Sequence, residues 1–478
     1  MSIPPAEHPR EPDVAGAQQR PLPALSAEEK RYLIWLIAFS FFMQMLDSTI
    51  VNTATPSIAR ALEVNPLSLR SALISYVLSL AVFIPISAWF ADRYGTRRIF
   101  GVAIAIFTLG SLACGLAQSL WMLTAARVVQ GFGGAMMMPV GRLVLVRSFD
   151  KSEFVTAMSV ATIPGLIGPA IGPLLGGFFS MYLSWRMIFF VNIPFGIAGL
   201  WLTRRFMPDY RGPQGVPLDV MGFILLALGM GGFSWALEQA ADGAHLPALF
   251  VAVGAGALIA FYTRRSFRVS APIADLSLLR IPSFRIAFTS GFATRLGVGG
   301  LYFLLTLLFQ IGFGYSAIMA GLLQLPQALA MMLMRFFVGG IIKQYGYRQV
   351  LLINTALSGC LVLLFATFTI TTPIWLICAQ VFAYGFVMSL QYSAMNTLGF
   401  IDLAPAQASM GSSITSAVQN LSMSLGIAFA SVLMAAFIGD THDNVHYVDA
   451  FRATTSVLGI VTLLSSLLFL RLPRPAAA

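Results

Sequence analysis

Residues 43–56, MQMLDSTIVNTATP, place one carboxylate, Asp47, in a run that from Tyr32 to Val51 is otherwise apolar and long enough to cross a bilayer. On insertion scales an aspartate at bilayer depth costs about 2.5–3.5 kcal/mol. At 3.6 residues per turn Gln44, Ser48, Asn52 and Thr55 share one stripe, and Asp47 lies roughly 60° from Gln44. A polar stripe on a membrane helix faces the bundle interior or a water-filled cavity. Two roles for Asp47 stand at this point: a hydrogen-bonded structural carboxylate, or a group that gains and loses a proton.

Arg127 sits in a second apolar run, ARVVQGFGGAMMMP (126–139), with Gly131 and Gly134 beside it at i+4 and i+7. Those glycines give a smooth face for close helix approach, and Asp47 is the obvious counter-charge. Such a pair either locks two helices together or alternates with a proton or substrate. Gly168, Gly172 and Gly176 recur every fourth residue in IPGLIGPAIGPLLGGFF (163–179) and form a flat ridge. Pro164, Pro169 and Pro173 each remove a backbone donor and bend the helix, so a bent helix sealing a central interface is expected. In ADRYGTRR (91–98) the arginines read as membrane-surface anchors on a loop, and Gly95 permits a tight turn. Asp92 either caps a helix end there or pairs across two halves of the molecule. Arg295 and Arg335 fall within later apolar runs; Arg335 is expected to snorkel to the interface and Arg295 to reach a cavity. Gln419 lies in MGSSITSAVQNLSMSLG (410–426), which suits a cavity lining or a polar helix interface.

The elements that hold these residues are helices in lipid. Of 478 residues 58% are hydrophobic and only 10% charged, against roughly 25% charged in soluble domains. Fourteen runs approach the roughly 20 apolar residues a transmembrane helix needs; the first is 32–55, the last 450–470, and the shortest are 219–237 and 246–263. With the N-terminus inside, 21 of the 29 Lys and Arg fall on the inner side, four outside and four within spans. That asymmetry is what the positive-inside rule demands, so the net charge of +10 reports topology and not nucleic-acid binding. Residues 1–30 read as a disordered cytoplasmic tail, and 473–478 as a second one. The three cysteines read as packing residues, and His442, Asp443 and His446 as a polar outer loop and not a metal site. No Walker loop and no catalytic constellation is evident, so no enzyme activity and no cofactor beyond a coupling proton is expected.

AWFADRYGTRR (88–98) aligns with GGIIKQYGYRQ (339–349), matching Tyr94-Gly95-x-Arg97 to Tyr345-Gly346-x-Arg348. Each follows the second helix of a six-helix block. The expected architecture is all-α and polytopic: a six-helix bundle at 31–207, two inserted helices within 208–265, a second bundle at 266–472, and both termini cytoplasmic. Parallel repeats of this kind place a substrate site between halves.

LDSTIVNTATP (46–56), ADRYGTRR, RVVQGFGGAMMMP and PGLIGPAIGPLLGG (164–177) resemble four motifs of the major facilitator superfamily. WRMIFFVNIPFG (185–196) followed by LDVMGF (218–223) resembles its fourteen-helix drug/proton antiporter branch of EmrB/QacA-type, MdtD-like multidrug exporters. The resemblance implies export across a bacterial cytoplasmic (inner) membrane, driven by proton entry and alternating access. It assigns proton coupling to Asp47 and Arg127 and a gating loop to Asp92, Arg93, Gly95 and Arg97. It assigns the antiporter motif to Pro164, Gly165, Gly168, Pro169, Gly172, Pro173, Gly176 and Gly177. The loop motif departs from the family in Ala88 and Thr96, where Gly and a basic residue are usual, and no second-half carboxylate stands where some cation exporters carry one. The substrate cavity is expected to involve Gln44, Ser48, Asn52, Arg295 and Gln419. The expected partners are amphipathic small molecules, protons and lipid around a monomer; some relatives dock a periplasmic adaptor, of which the short outer loops carry no sign. Export of one specific metabolite and a non-transporting sensor or scaffold stand as alternatives.

Overall fold

A computed structural model describes residues 25–212, 217–404, 407–439 and 444–472. The described residues are helices and short connections, with fourteen helices long and apolar enough to span a membrane. In chain order these are α1 Ala27–Ala61, α2 Arg70–Tyr94, α3 Thr96–Gly115, α4 Leu120–Ser148, α5 Lys151–Tyr182 and α6 Met187–Phe206. An inserted pair follows, α7 Val220–Ala241 and α8 His245–Ser266. The second half comprises α9 Pro282–Gly312, α10 Ala317–Met334, α11 Val338–Phe365, α12 Ile374–Leu398, α13 Ala408–Ile438 and α14 Asn444–Ser466.

Several boundaries correct the sequence expectation. Residues 27–30 belong to α1 and not to a disordered tail, because Ser26 caps the helix reciprocally with Glu29: Glu29 N–H donates to Ser26 Oγ at 3.2 Å and Ser26 N–H to Glu29 Oε2 at 2.9 Å. The segment 88–98, expected as a loop, is helical on both sides of Gly95, and Asp92 lies in the last turn of α2. The same holds for 339–349, which lies inside α11 and kinks at Gly346. Both glycines have positive φ, 93° and 71°, so one residue reverses the chain where polarity had implied a loop. Arg335 lies just past α10, exposed at the helix end and not within a span. His442 and Asp443 lie outside the described residues.

Packing divides the molecule unevenly along the membrane normal. At the end opposite Gly95 and Gly346, one apolar core runs through both halves, from Ile50 and Ile58 through Phe309, Phe365 and Phe451. Gln310 also donates there to Thr53 O at 2.8 Å. At the basic end the cores are separate: Phe41, Phe100 and Phe107 in the first half, Leu351, Leu398 and Phe469 in the second. A fourth cluster joins α2 to α13 along one side through Ile86 and Ile414, covered by Leu225 of α7 and Tyr262 of α8. The inserted pair is tied to α2 by Arg70–Asp242 at 2.5 Å, and its two helices to each other by Arg265–Asp219 at 3.0 Å, Asp219 also capping α7.

Candidate functional site: a buried ion pair and its supports

Asp47 has no solvent exposure and Arg127 has 1%. Arg127 Nη1 donates to Asp47 Oδ2 at 2.6 Å and to Gln130 Oε1 at 2.7 Å. The other carboxylate oxygen, Oδ1, accepts from Gln130 Nε2 at 2.8 Å and from Asn192 Nδ2 at 3.1 Å. Asn192 also donates to Ser111 Oγ at 2.9 Å. The Arg127 guanidinium lies 3.9 Å from the centroid of the Tyr76 ring, which adds a cation–π contact to a desolvated cation. The site therefore draws on α1, α2, α3, α4 and α6. Burying one charge alone would be very costly; here the carboxylate accepts three charge-assisted hydrogen bonds and the pair is neutral overall.

The glycines of the sequence motifs explain how these helices approach. Gly131 of α4 lies against Tyr76 O at 2.7 Å from where a Cβ would stand, and Gly133 meets the α3 backbone at Phe107 N. The ridge of α5 lies on α1 around Asp47: a Cβ on Gly168 would stand 2.8 Å from Leu46 N, and on Gly172 and Gly176 would collide with Thr49 Oγ1 and Ile50 O. Gly165 faces Phe41. Gly177 points instead to the second half, where its Cβ would stand 2.6 Å from Ala317 O of α10, and Gly321 returns the contact at 2.5 Å from Pro173 O. The helix runs unbroken through Pro164, Pro169 and Pro173.

The Gly95 turn forms a second constellation at the basic end. Asp92 pairs with Arg147 of α4 at 3.0 Å, within its own half. Thr96 N–H donates to Tyr210 O and Thr96 Oγ1 to Pro208 O, each at 2.9 Å. Arg97 Nε donates to Met207 O, Arg97 N–H donates to Asp209 Oδ1 at 3.3 Å, and Gly212 N–H to Asp92 O at 3.1 Å. The segment 207–212, leading from α6 to the inserted pair, is thus clipped onto the turn. Arg93 is exposed.

The residues expected to line a cavity do not meet at one place. Ser48 donates to Met45 O and Asn52 to Ser48 O, both within α1. Gln44 is buried, and its Oε1 has no hydrogen-bond partner among the described residues. Arg295 and Gln419 line a separate cleft in the second half. Sequence reasoning missed Gln130 and Asn192. The available signals were a glutamine three residues after Arg127 and an asparagine inside the apolar run FFVNIPF.

The fold and this intramembrane pair define a polytopic transport protein. The model of the Major Facilitator Superfamily matches residues 37–427, and the chain belongs to that family. It is 41% identical over 447 residues to the "Putative multidrug resistance protein MdtD" of Serratia proteamaculans, covering 93% of this chain and 94% of that one. The like-named protein of Salmonella typhimurium is 39% identical over 452 residues, covering 93% and 96%. Among solved structures, an auto inhibited POT family peptide transporter superposes with a TM-score of 0.69 at 16% identity, covering 94% and 98%. The nucleoside transporter NupG superposes with 0.67 at 12%, covering 92% and 99%. The expected superfamily and MdtD-like resemblance, the fourteen-helix fold and the absence of an enzyme assignment agree with these relatives.

Proposed function

We propose that this protein is a proton-coupled antiporter that exports amphipathic small molecules across the bacterial cytoplasmic membrane by alternating access. The observation that carries the reading is the Asp47–Arg127 pair, sealed from solvent between α1 and α4 and supported by Gln130 and Asn192. A proton on Asp47 removes the charge that holds Arg127, so protonation and separation of the two helices become one event. The α5 glycine ridge grips α1 at the same turns and touches α10 with its opposite face, which connects that event to the contact between halves. The core shared at one end and divided at the basic end fits a state closed toward the outside and parted toward the cytoplasm, given the positive-inside orientation. The MdtD relatives, named for multidrug resistance, support a broad amphipathic substrate range. Export of one specific metabolite is the competing reading on the same fold, and the protein is taken as a monomer.

The test is proton movement in proteoliposomes offered a panel of charged and neutral amphiphiles, wild type against Asp47→Asn. Compound-driven proton flux in wild type and none in the variant supports coupled antiport through Asp47. Equal transport by both proteins would make Asp47 a structural residue and end this assignment.

A further inference from the structure

Arg295 is a deeply buried cation whose situation is the opposite of that of Arg127. It is 8% exposed, it lies on α9, and its guanidinium faces the Tyr392 ring at 5.3 Å. Among the described residues no carboxylate and no hydrogen-bond acceptor engages it. The chain offers little that could: between 276 and 439 the only acidic residue is Asp402, which is exposed beyond the end of α12. Asp47 is already held by Arg127. A buried guanidinium without a counter-ion is costly, and its fork geometry matches a carboxylate or phosphate.

The surroundings are those of a binding site. Arg295 lines a narrow cleft with Phe284, Phe288, Asn396, Thr415 and Gln419. Gln419 is oriented by donating to Asn396 Oδ1 at 2.5 Å. Glycines make room around it: a Cβ on Gly291 would stand 2.9 Å from Nη1, and one on Gly426 of α13 would stand 2.8 Å from Arg295 O. One cation and two aromatic rings from α9 therefore share the cleft with an amide of α12 and an amide and a hydroxyl of α13.

We propose that this cleft binds the anionic group of an amphipathic organic acid, with Arg295 as its counter-ion and Phe284 and Phe288 against its apolar body. The inference deepens the transport reading by naming a substrate class, and it rests on that reading for its physiological meaning. The same anionic chemistry could come from a lipid phosphate, so the experiment separates the two sources.

The probe is 4-(1-pyrenyl)butyrate, compared with its uncharged primary amide, binding to the purified full chain in phosphatidylcholine nanodiscs without a proton gradient. A hydrogen bond to a charged group contributes about 1.5–3 kcal/mol, so the acid is expected to bind about ten- to hundredfold more tightly than the amide. Arg295→Gln should remove that preference, acid and amide then binding alike, and Arg295→Lys should retain part of it. If Arg295→Gln does not fold, wild type against Arg295→Lys carries the comparison. Equal binding of acid and amide, or a preference that survives Arg295→Gln, overturns the proposal. Loss of the preference when phosphatidylglycerol replaces part of the phosphatidylcholine assigns the cleft to lipid and overturns it equally. Because no gradient is used, failure here leaves proton-coupled export standing, and failure of the proteoliposome test leaves acid binding standing.

Discussion

Asn192 and Asp47 are joined at 3.1 Å across α6 and α1, and the same amide nitrogen reaches Ser111 of α3 at 2.9 Å. One side chain therefore ties the carboxylate to two further helices by hydrogen bonds. A hydrogen bond to a charged group contributes about 1.5–3 kcal/mol, and Asn192→Ala is expected to destabilise the protein by an amount in that range. Ser111→Ala, one step removed from the charge, should cost less. Thermal unfolding in detergent ranks the two, and the reverse order would show that Asn192 acts by packing.

The ion pair should behave as a unit. Removing one partner of a buried pair costs about 3–5 kcal/mol, because the other charge is left uncompensated, whereas replacing both is far milder. Arg127→Ala is thus expected to be more damaging than Asp47→Asn combined with Arg127→Gln. A double variant no more stable than Arg127→Ala would mean that the two residues are energetically independent.

Gly176 and Gly177 are neighbours with different tasks. Gly176→Ala drives a methyl into Ile50 O of α1, an overpacking expected to cost about 1–3 kcal/mol and to lower transport by disturbing the turn after Asp47. Gly177→Ala meets Ala317 O across the two halves and should loosen the closed end instead. Thr53, fully buried at that end, reports this: in a background lacking Cys114, Cys360 and Cys378, Thr53→Cys should label faster with an impermeant maleimide once Gly177→Ala is added. Unchanged labelling would separate Gly177 from closure.

The two turn glycines are expected to differ as well. Gly95→Ala places a Cβ at φ 93° and onto the Asp209 carboxylate, combining backbone strain of about 1–3 kcal/mol with a collision. Gly346→Ala carries backbone strain of the same kind, at φ 71°. Stability measurements should rank Gly95→Ala as the more severe; equal effects would show that the clipped 207–212 segment adds nothing.

The charges were legible in the sequence because an Asp or Arg inside an apolar run has few physical explanations. Asp47 and Arg127 could be paired on that ground before any coordinates. Gln130 and Asn192 were not, since an uncharged amide in a membrane helix is common and its partner lies on a different helix. The α5 ridge could be read as a contact face, but its division, with Gly168, Gly172 and Gly176 on α1 and Gly177 on α10, depends on the helix arrangement. Segments 88–98 and 339–349 were misread as loops because polarity marks the membrane surface, not the end of a helix; only the dihedrals of Gly95 and Gly346 show how little chain the reversal needs. The count of fourteen spans followed from apolar length, which lipid enforces independently of packing.

The two seams between the halves are unequal in a way that bears on where a greasy molecule enters. Along α2 and α13 the seam is roofed by α7, with Leu225 over Ile86 and Ile414. Along α5 and α10 the seam is a bare helix pair flanked by exposed Ile171, Phe178, Leu322 and Leu329. An amphiphile dissolved in the acyl chains thus meets a closed wall on one flank of the transporter and, on the other, two helices in backbone contact at Gly177 and Gly321.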